Sequence, residues 1–137
     1  MDLRIWDRES EDPRQLSQAG VEVWCEVEAT LGFYYVSNLG RFASCKTRRR
    51  GAPPSKTPRL LRGSSGQNGY LMYTIFGVPG GEPEKQNILA HRLVITAFEG
   101  GPSKPEQQDV RHRDNPDKAD NRLCNLAWGT RSENMLD

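Results

Sequence analysis

Cysteine is scarce in this 137-residue chain: Cys25, Cys45 and Cys124 are far apart and form no C-x-x-C pair. That excludes a disulfide framework and a cysteine-based zinc site. No window approaches the roughly 18 consecutive apolar residues of a membrane span. The opening MDLRIWDRES is acidic where a secretory signal would be basic and then apolar. The expectation is a soluble, untargeted protein in a reducing cytosol. Hydrophobic residues make up 35% of the chain, enough for one modest core and too little for a large multidomain enzyme.

A more pointed absence is that of acid. Residues 29 to 81 contain no Asp or Glu, yet carry eight bases: Arg41, Lys46, Arg48, Arg49, Arg50, Lys56, Arg59 and Arg62. Residues 1 to 28 hold eight acids against three arginines, and residues 82 to 137 hold ten acids against eight bases. The net charge of +1 therefore hides a polarised chain. Each cation set beside a phosphate displaces condensed counterions, so an acid-free basic stretch suits a polyanion. A solvated basic loop reads equally well from charge alone.

Local patterns give an α+β unit. Residues 1 to 20 lack periodicity and read as a polar, poorly ordered lead-in. VEVWCEV alternates, and Phe33 to Val36 precede the turn-prone Ser37-Asn38-Leu39-Gly40 and then Arg41 to Ser44. Two short strands around a glycine turn fit this. TRRRGAPPSKTPR is a loop by its prolines and places Arg48, Arg49 and Arg50 at a tip. After the turn signal Gln67-Asn68-Gly69, residues 70 to 76 read as a strand, and GVPGGEPEK as a further exposed loop. ILAHRLVITAFEGG has apolar residues at 89, 93, 97 and at 90, 94, 98, one face of a helix stopped by Gly100-Gly101-Pro102. His91, Arg92, Thr96 and Glu99 fall off that face. The tail reads as a strand ending at His112, a polar loop, a second strand at Asn125 to Trp128, and a helix opened by the capping box Thr130 with Glu133.

The tail's residues His112, Asp114, Asn115, Asn121, Arg122, Asn125, Leu126, Trp128, Thr130 and Asn134 stand in a spacing that resembles the HNH nucleases of ββα-metal (His-Me finger) fold, in particular phage and intron-encoded homing endonucleases. Upstream, Ala90 to Phe98 is similar to that family's linker helix. Trp24, Val27, Tyr35-Val36-Ser37-Asn38, Gly40-Arg41-Phe42, Ser44, Leu60 or Leu61, and Gly69-Tyr70 resemble the nuclease-associated modular DNA-binding region that often precedes it. The resemblance covers about residues 21 to 137. It implies a lead-in at 1–20, a basic DNA-binding module at 21–81, and a linker helix with the HNH motif at 82–137.

The resemblance implies a metal-dependent DNA endonuclease of homing type, hydrolysing a phosphodiester to 5′-phosphate and 3′-OH. His112 would be the general base, Asn125 would hold the loop that aims it, and Asn134, with His112, would face a divalent ion. Oxygen donors favour Mg²⁺ or Mn²⁺ over zinc. DNA contacts would come from Arg41, Lys46, Arg48, Arg49, Arg50, Lys56, Arg59, Arg62, Arg92 and Arg111. Double-stranded DNA is the implied partner, without a membrane, in a bacterial or phage-infected cell, bound by a monomer or a dimer. One ββα site attacks one strand, so a monomer should nick. The chain ends three residues after Asn134, where homing relatives often continue into a further DNA-reading segment, which implies a small footprint.

Two positions depart from the family. Arg111 stands where some homing members carry an acidic metal ligand just before the histidine, and Asn115-Pro116 replaces Gly-Asn. Arg111 supports the competing reading, an HNH-derived DNA-binding protein whose catalysis has weakened. His91 reads as structural or as a phosphate contact rather than as a metal ligand. Cys124 lacks an activating partner for nucleophilic work. The loop at Asp114 to Asp120 is no EF-hand, because Pro116 occupies a ligand position and Ala119 replaces the turn glycine.

Overall fold

The computed structural model describes residues 3–28, 30–47, 52–65, 69–76, 85–102, 109–130 and 132. In chain order the elements are α1 (Pro13–Gln18), β1 (Trp24–Glu26), β2 (Tyr34–Ser37), β3 (Phe42–Ser44), β4 (Arg59–Leu60), β5 (Ser64–Ser65), β6 (Leu71–Phe76), β7 (Lys85–Leu89), α2 (Ala90–Glu99), β8 (Asp109–His112), a 3-10 turn (Leu123–Asn125) and β9 (Leu126–Gly129). The strands make three antiparallel sheets: β1-β2-β3-β4, β5-β6-β7 and β8-β9. This is the α+β class that the patterns imply.

The aromatic and β-branched run at Tyr34 to Val36 pairs with β3, Val36 facing Phe42 and Tyr34 facing Ser44. Gly40 closes the hairpin at φ +88°, a conformation that side chains with a Cβ adopt only with strain. Ser37 Oγ accepts the backbone N–H groups of Leu39 and Arg41, at 3.2 and 3.1 Å. Asn38 is fully buried and works as a strut. Its Oδ1 accepts from the Val23 N–H at 2.9 Å, and its Nδ2 donates to the carbonyls of Pro13 and Val21 at 3.0 and 2.9 Å.

α2 is the spine. Its apolar residues Leu93, Val94, Ile95 and Phe98 are buried, and the helix touches β1, β2, β6, β7, β8 and β9. One core results, with Val23, Tyr34 and Phe42 from the first sheet, Tyr73 from the second, and Leu123 and Leu126 from the tail. Gly100 ends the helix at φ +80°.

The lead-in departs from its expected disorder. Ile5 bridges Trp24, and Trp6 packs on Phe98 with ring centroids 5.2 Å apart. Asp12 caps α1 by accepting the N–H groups of Arg14 and Gln15, and Pro13 opens the first turn. Arg14 then pairs with Glu99 at 2.8 Å and donates to the Leu126 carbonyl at 2.8 Å, while Ser17 Oγ accepts the Cys124 N–H at 2.9 Å. A six-residue helix is too short for periodicity to reveal it, and docking on the rest of the chain orders it. A second difference is β7, which pairs with β6 from Lys85 onward where the glycine- and proline-rich run suggests a continuing loop.

The loop tip Arg48, Arg49 and Arg50 lies outside the described residues, as do Glu133 and Asn134. Of the residues after Thr130, Ser132 is described, and it is helical. Among the described residues no helix is long and apolar enough to cross a membrane.

Candidate active site

His112 is the last residue of β8, paired with Leu126 across the two-stranded ribbon. Burial alternates along the strand, so Val110 and His112 face inward and Asp109 and Arg111 the other way. His112 is 4% exposed. Arg111 lies across β9 instead: a Cβ built on Gly129 would meet its Cδ at 2.3 Å. Adjacent in sequence, the two side chains occupy opposite faces.

Asn125 holds the loop between the strands with all its hydrogen-bonding capacity. Its Oδ1 accepts the N–H groups of Asp114 and Asn115 at 2.9 and 2.7 Å, and its Nδ2 donates to the carbonyls of Asn115 and Asp120 at 2.9 and 3.0 Å. It is 1% exposed, so water does not compete for these bonds. Asp120 is fixed in turn by Arg122 (two contacts of 2.8 Å) and by Asn115 Nδ2 at 3.0 Å. The Arg122 guanidinium holds its carboxyl below the usual carboxylate range.

The residue that touches the imidazole is Asn121, to which the sequence reading gives a motif position but no role. Asn121 Oδ1 lies 3.0 Å from His112 Nε2, and both groups are buried. A carbonyl oxygen only accepts, so the neutral ring carries its proton on Nε2 and keeps a lone pair on Nδ1. Asn125 thus aims the loop and Asn121 fixes the tautomer.

His91, read as structural or as a phosphate contact, is 7% exposed although it lies off the apolar face of α2. Its ring centroid lies 5.4 Å from that of His112 and 5.1 Å from that of Tyr70, and Tyr70 lies 6.1 Å from His112. His91 Nδ1 is buried and has no hydrogen-bond partner among the described residues. Burial, then the neighbouring His112 and Arg92, push its pKa down to about 4. It is therefore a neutral ring at physiological pH.

The expected DNA contacts divide. Lys46, Arg59 and Arg62 converge on a groove of about 690 Å³ that also presents Tyr34, Ser44, Thr47, Ser64 and Thr74, with no carboxylate among the described residues that line it. Lys56 is exposed on the loop before β4 and lines a separate, smaller groove with Ile5, Tyr35 and Cys45. Arg41 is engaged elsewhere, its Nε 2.8 Å from Glu22 and its guanidinium 5.7 Å from the centroid of the Trp24 ring. Arg92 lies over Trp128, 5.1 Å from the ring centroid, beside a larger groove of about 870 Å³ whose lining mixes Arg8 with Glu26, Glu28 and Glu99. The groove of one charge sign is the one that suits a polyanion.

Among the described residues no three His, Cys, Asp or Glu side chains converge as a metal cage. The donor chemistry at the ribbon end is imidazole and amide oxygen. The amide oxygens of Asn121 and Asn125 are already engaged in hydrogen bonds, so among the described residues the set does not fit a closed zinc site and suits only an ion that keeps its waters and takes substrate phosphates as ligands.

Residues 89–136 match the family model described as HNH endonuclease, and residues 22–76 match the NUMOD4 motif. A protein named as an uncharacterised HNH endonuclease, L247, of Acanthamoeba polyphaga mimivirus is 32% identical over 116 residues, covering 83% of this chain and 25% of its own length. A solved structure described as DNA binding and cleavage by the HNH homing endonuclease I-HmuI superposes with a TM-score of 0.60 at 27% identity, over 82% of this chain and 55% of that one. The chain thus spans about a quarter of the one relative and about half of the other.

Proposed function

We propose that this chain is an HNH endonuclease, with residues 89–136 as the HNH domain behind a NUMOD4 motif at 22–76, and that it uses a metal ion to nick double-stranded DNA. The observation that carries the reading is the buried hydrogen bond from His112 Nε2 to Asn121, which leaves Nδ1 as a base at the end of a ribbon whose loop Asn125 has locked.

Hydrolysis of a phosphodiester requires an attacking water to lose a proton as it approaches phosphorus in line with the leaving 3′-oxygen. His112 takes that proton on Nδ1, and the carbonyl of Asn121 stabilises the imidazolium that forms through its hold on Nε2–H. Asn125 prevents the loop from carrying Asn115 and Asp120 away from this arrangement. Asn134 would hold a divalent ion, which when bound would supply a Lewis acid for the scissile phosphate; His112, with Nε2–H on Asn121 and Nδ1 taking the proton, has no lone pair left to ligate it. Lys46, Arg59 and Arg62 grip the backbone at a distance from the base, and Lys56 adds a contact from its own groove. The tip arginines 48 to 50 extend this grip, and Arg92 and Arg111 add contacts nearer the tail. The products are a 5′-phosphate and a 3′-OH. A single base serves one strand, so a monomer opens supercoiled plasmid to circles.

The test is supercoiled plasmid at low salt with Mg²⁺, Mn²⁺ or excess chelator. Open circles are expected with either ion and none with chelator. A plasmid that shifts on a gel yet stays supercoiled under all three conditions would instead favour the DNA-binding reading that Arg111 raises.

A further inference from the structure

A single hydrogen bond fixes one atom of a ring but not its plane. His112 is held at Nε2 by Asn121, and the imidazole could still swing about that bond. What limits the swing is a pair of rings from elsewhere in the chain. His91 from α2 lies 5.4 Å from His112, and Tyr70, just before β6, lies 6.1 Å from it. These spacings fall in the range where aromatic rings make favourable offset or tilted contacts. Tyr70 and His91 meet edge to face at 5.1 Å, so the two are one unit. The Lys118 ammonium stands 4.6 Å from the centroid of the Tyr70 ring, an arrangement that favours a cation. Lys118 belongs to the loop between β8 and β9, which Asn125 holds. The cluster therefore closes on itself, from the catalytic loop through Tyr70 and His91 to His112.

His91 Nδ1 has no hydrogen-bond partner among the described residues, so packing is what this side of the ring contributes. A second, independent contact reaches the other end of the base. A Cβ on Gly40 would come within 3.0 Å of the backbone and Cβ of Asn121, and the Asn38 carbonyl accepts the Leu123 N–H at 2.8 Å. Residues 22–76 thus touch the site twice, once at the ring and once at the amide that orients it.

We propose that Tyr70, together with His91, is a positioning residue for the general base, so that the active centre is completed by the segment preceding the HNH domain. The proposal rests on the nuclease reading for its catalytic consequence, but its structural part can be read without cleavage. The chain has two histidines, His91 and His112, so ¹⁵N-histidine labelling gives two imidazole spin systems. Long-range ¹H–¹⁵N correlation at pH 7.5 in chelator reports the tautomer of each. Tyr70→Ala, Tyr70→Phe and His91→Phe would be compared with the native chain, with DNA affinity in chelator and single-turnover nicking measured on the same samples.

The native His112 is expected in one Nε2–H state. Tyr70→Ala should average the tautomers and slow nicking by roughly tenfold or more, with DNA affinity changed by less than about twofold, as expected when a reacting group is displaced by a fraction of an ångström. Tyr70→Phe, which keeps the ring, should restore both the signal and the rate. Should Tyr70→Ala fail to fold, Tyr70→Leu supplies the ringless comparison. A ringless variant that folds and retains the native His112 pattern and rate would overturn the proposal. A native chain that shows the expected tautomer shifts but never nicks would remove the nuclease reading and leave the ring contact standing.

Discussion

At the scale of single residues, the site rests on two amide side chains: Asn125 uses all of its hydrogen-bonding groups, and Asn121 holds the imidazole. Asn125 was legible only through the family resemblance, which gives that position the task of holding the loop. Asn121 was not, because its bond to His112 depends on how the loop closes, and sequence separation carries no such information. His91 shows the same limit. A helical period sorts residues by the main core, and this one is buried against Tyr70 and His112 instead. Its burial has a consequence for stability. The folded value of about 4 lies below the ordinary 6.5, so between these pH values the unfolded chain binds more protons than the folded one. That contribution is complete above pH 6.5 and is lost as pH falls toward 4, by an amount on the order of 3 kcal/mol for a group this buried. The groups facing His91 are His112 on β8, Tyr70 before β6 and Arg92 on α2, with Lys118 behind Tyr70. Guanidinium unfolding in chelator at pH 7 and pH 5 should show a larger loss for the native chain than for His91→Phe. Equal losses would contradict the assignment.

At the scale of elements, the strongly patterned pieces were readable and the docked ones were not. α2 is written in its apolar spacing, and the β2–β3 hairpin in its aromatic run and glycine turn. α1 carried a cap at Asp12 and a proline at its first position, but its order comes from Arg14, Ser17 and Asn38 reaching other parts of the chain. β7 hid behind a run rich in glycine and proline. The Ser37 to Gly40 turn joins these scales, because Gly40 both needs its positive φ and abuts Asn121. Gly40→Ala should therefore lower stability by about 1–3 kcal/mol through backbone strain and also slow nicking by displacing Asn121. A thermal melt and a cleavage assay below the melting range separate the two effects. Unchanged cleavage in a destabilised variant would show that the turn is structural only.

At the scale of the whole molecule, charge is sorted so that the described residues lining the groove of Lys46, Arg59 and Arg62 include no acid. The acid-free stretch was visible in the sequence, whereas Arg41, which pairs with Glu22, could not be told apart from its neighbours. Replacing Lys46, Arg59 and Arg62 together by glutamine should weaken DNA binding and reduce the slope of log affinity against log salt by about 2–3, close to one per lost phosphate contact. An unchanged slope would place the grip elsewhere. The account as a whole assigns grip and cutting to different residues, and His112→Ala tests that division most directly. Plasmid nicking with Mg²⁺ and DNA affinity in chelator, measured side by side, should show nicking reduced by about 100-fold or more with affinity within about twofold of native. Nicking that persists at the native rate in His112→Ala would contradict the assignment of the base.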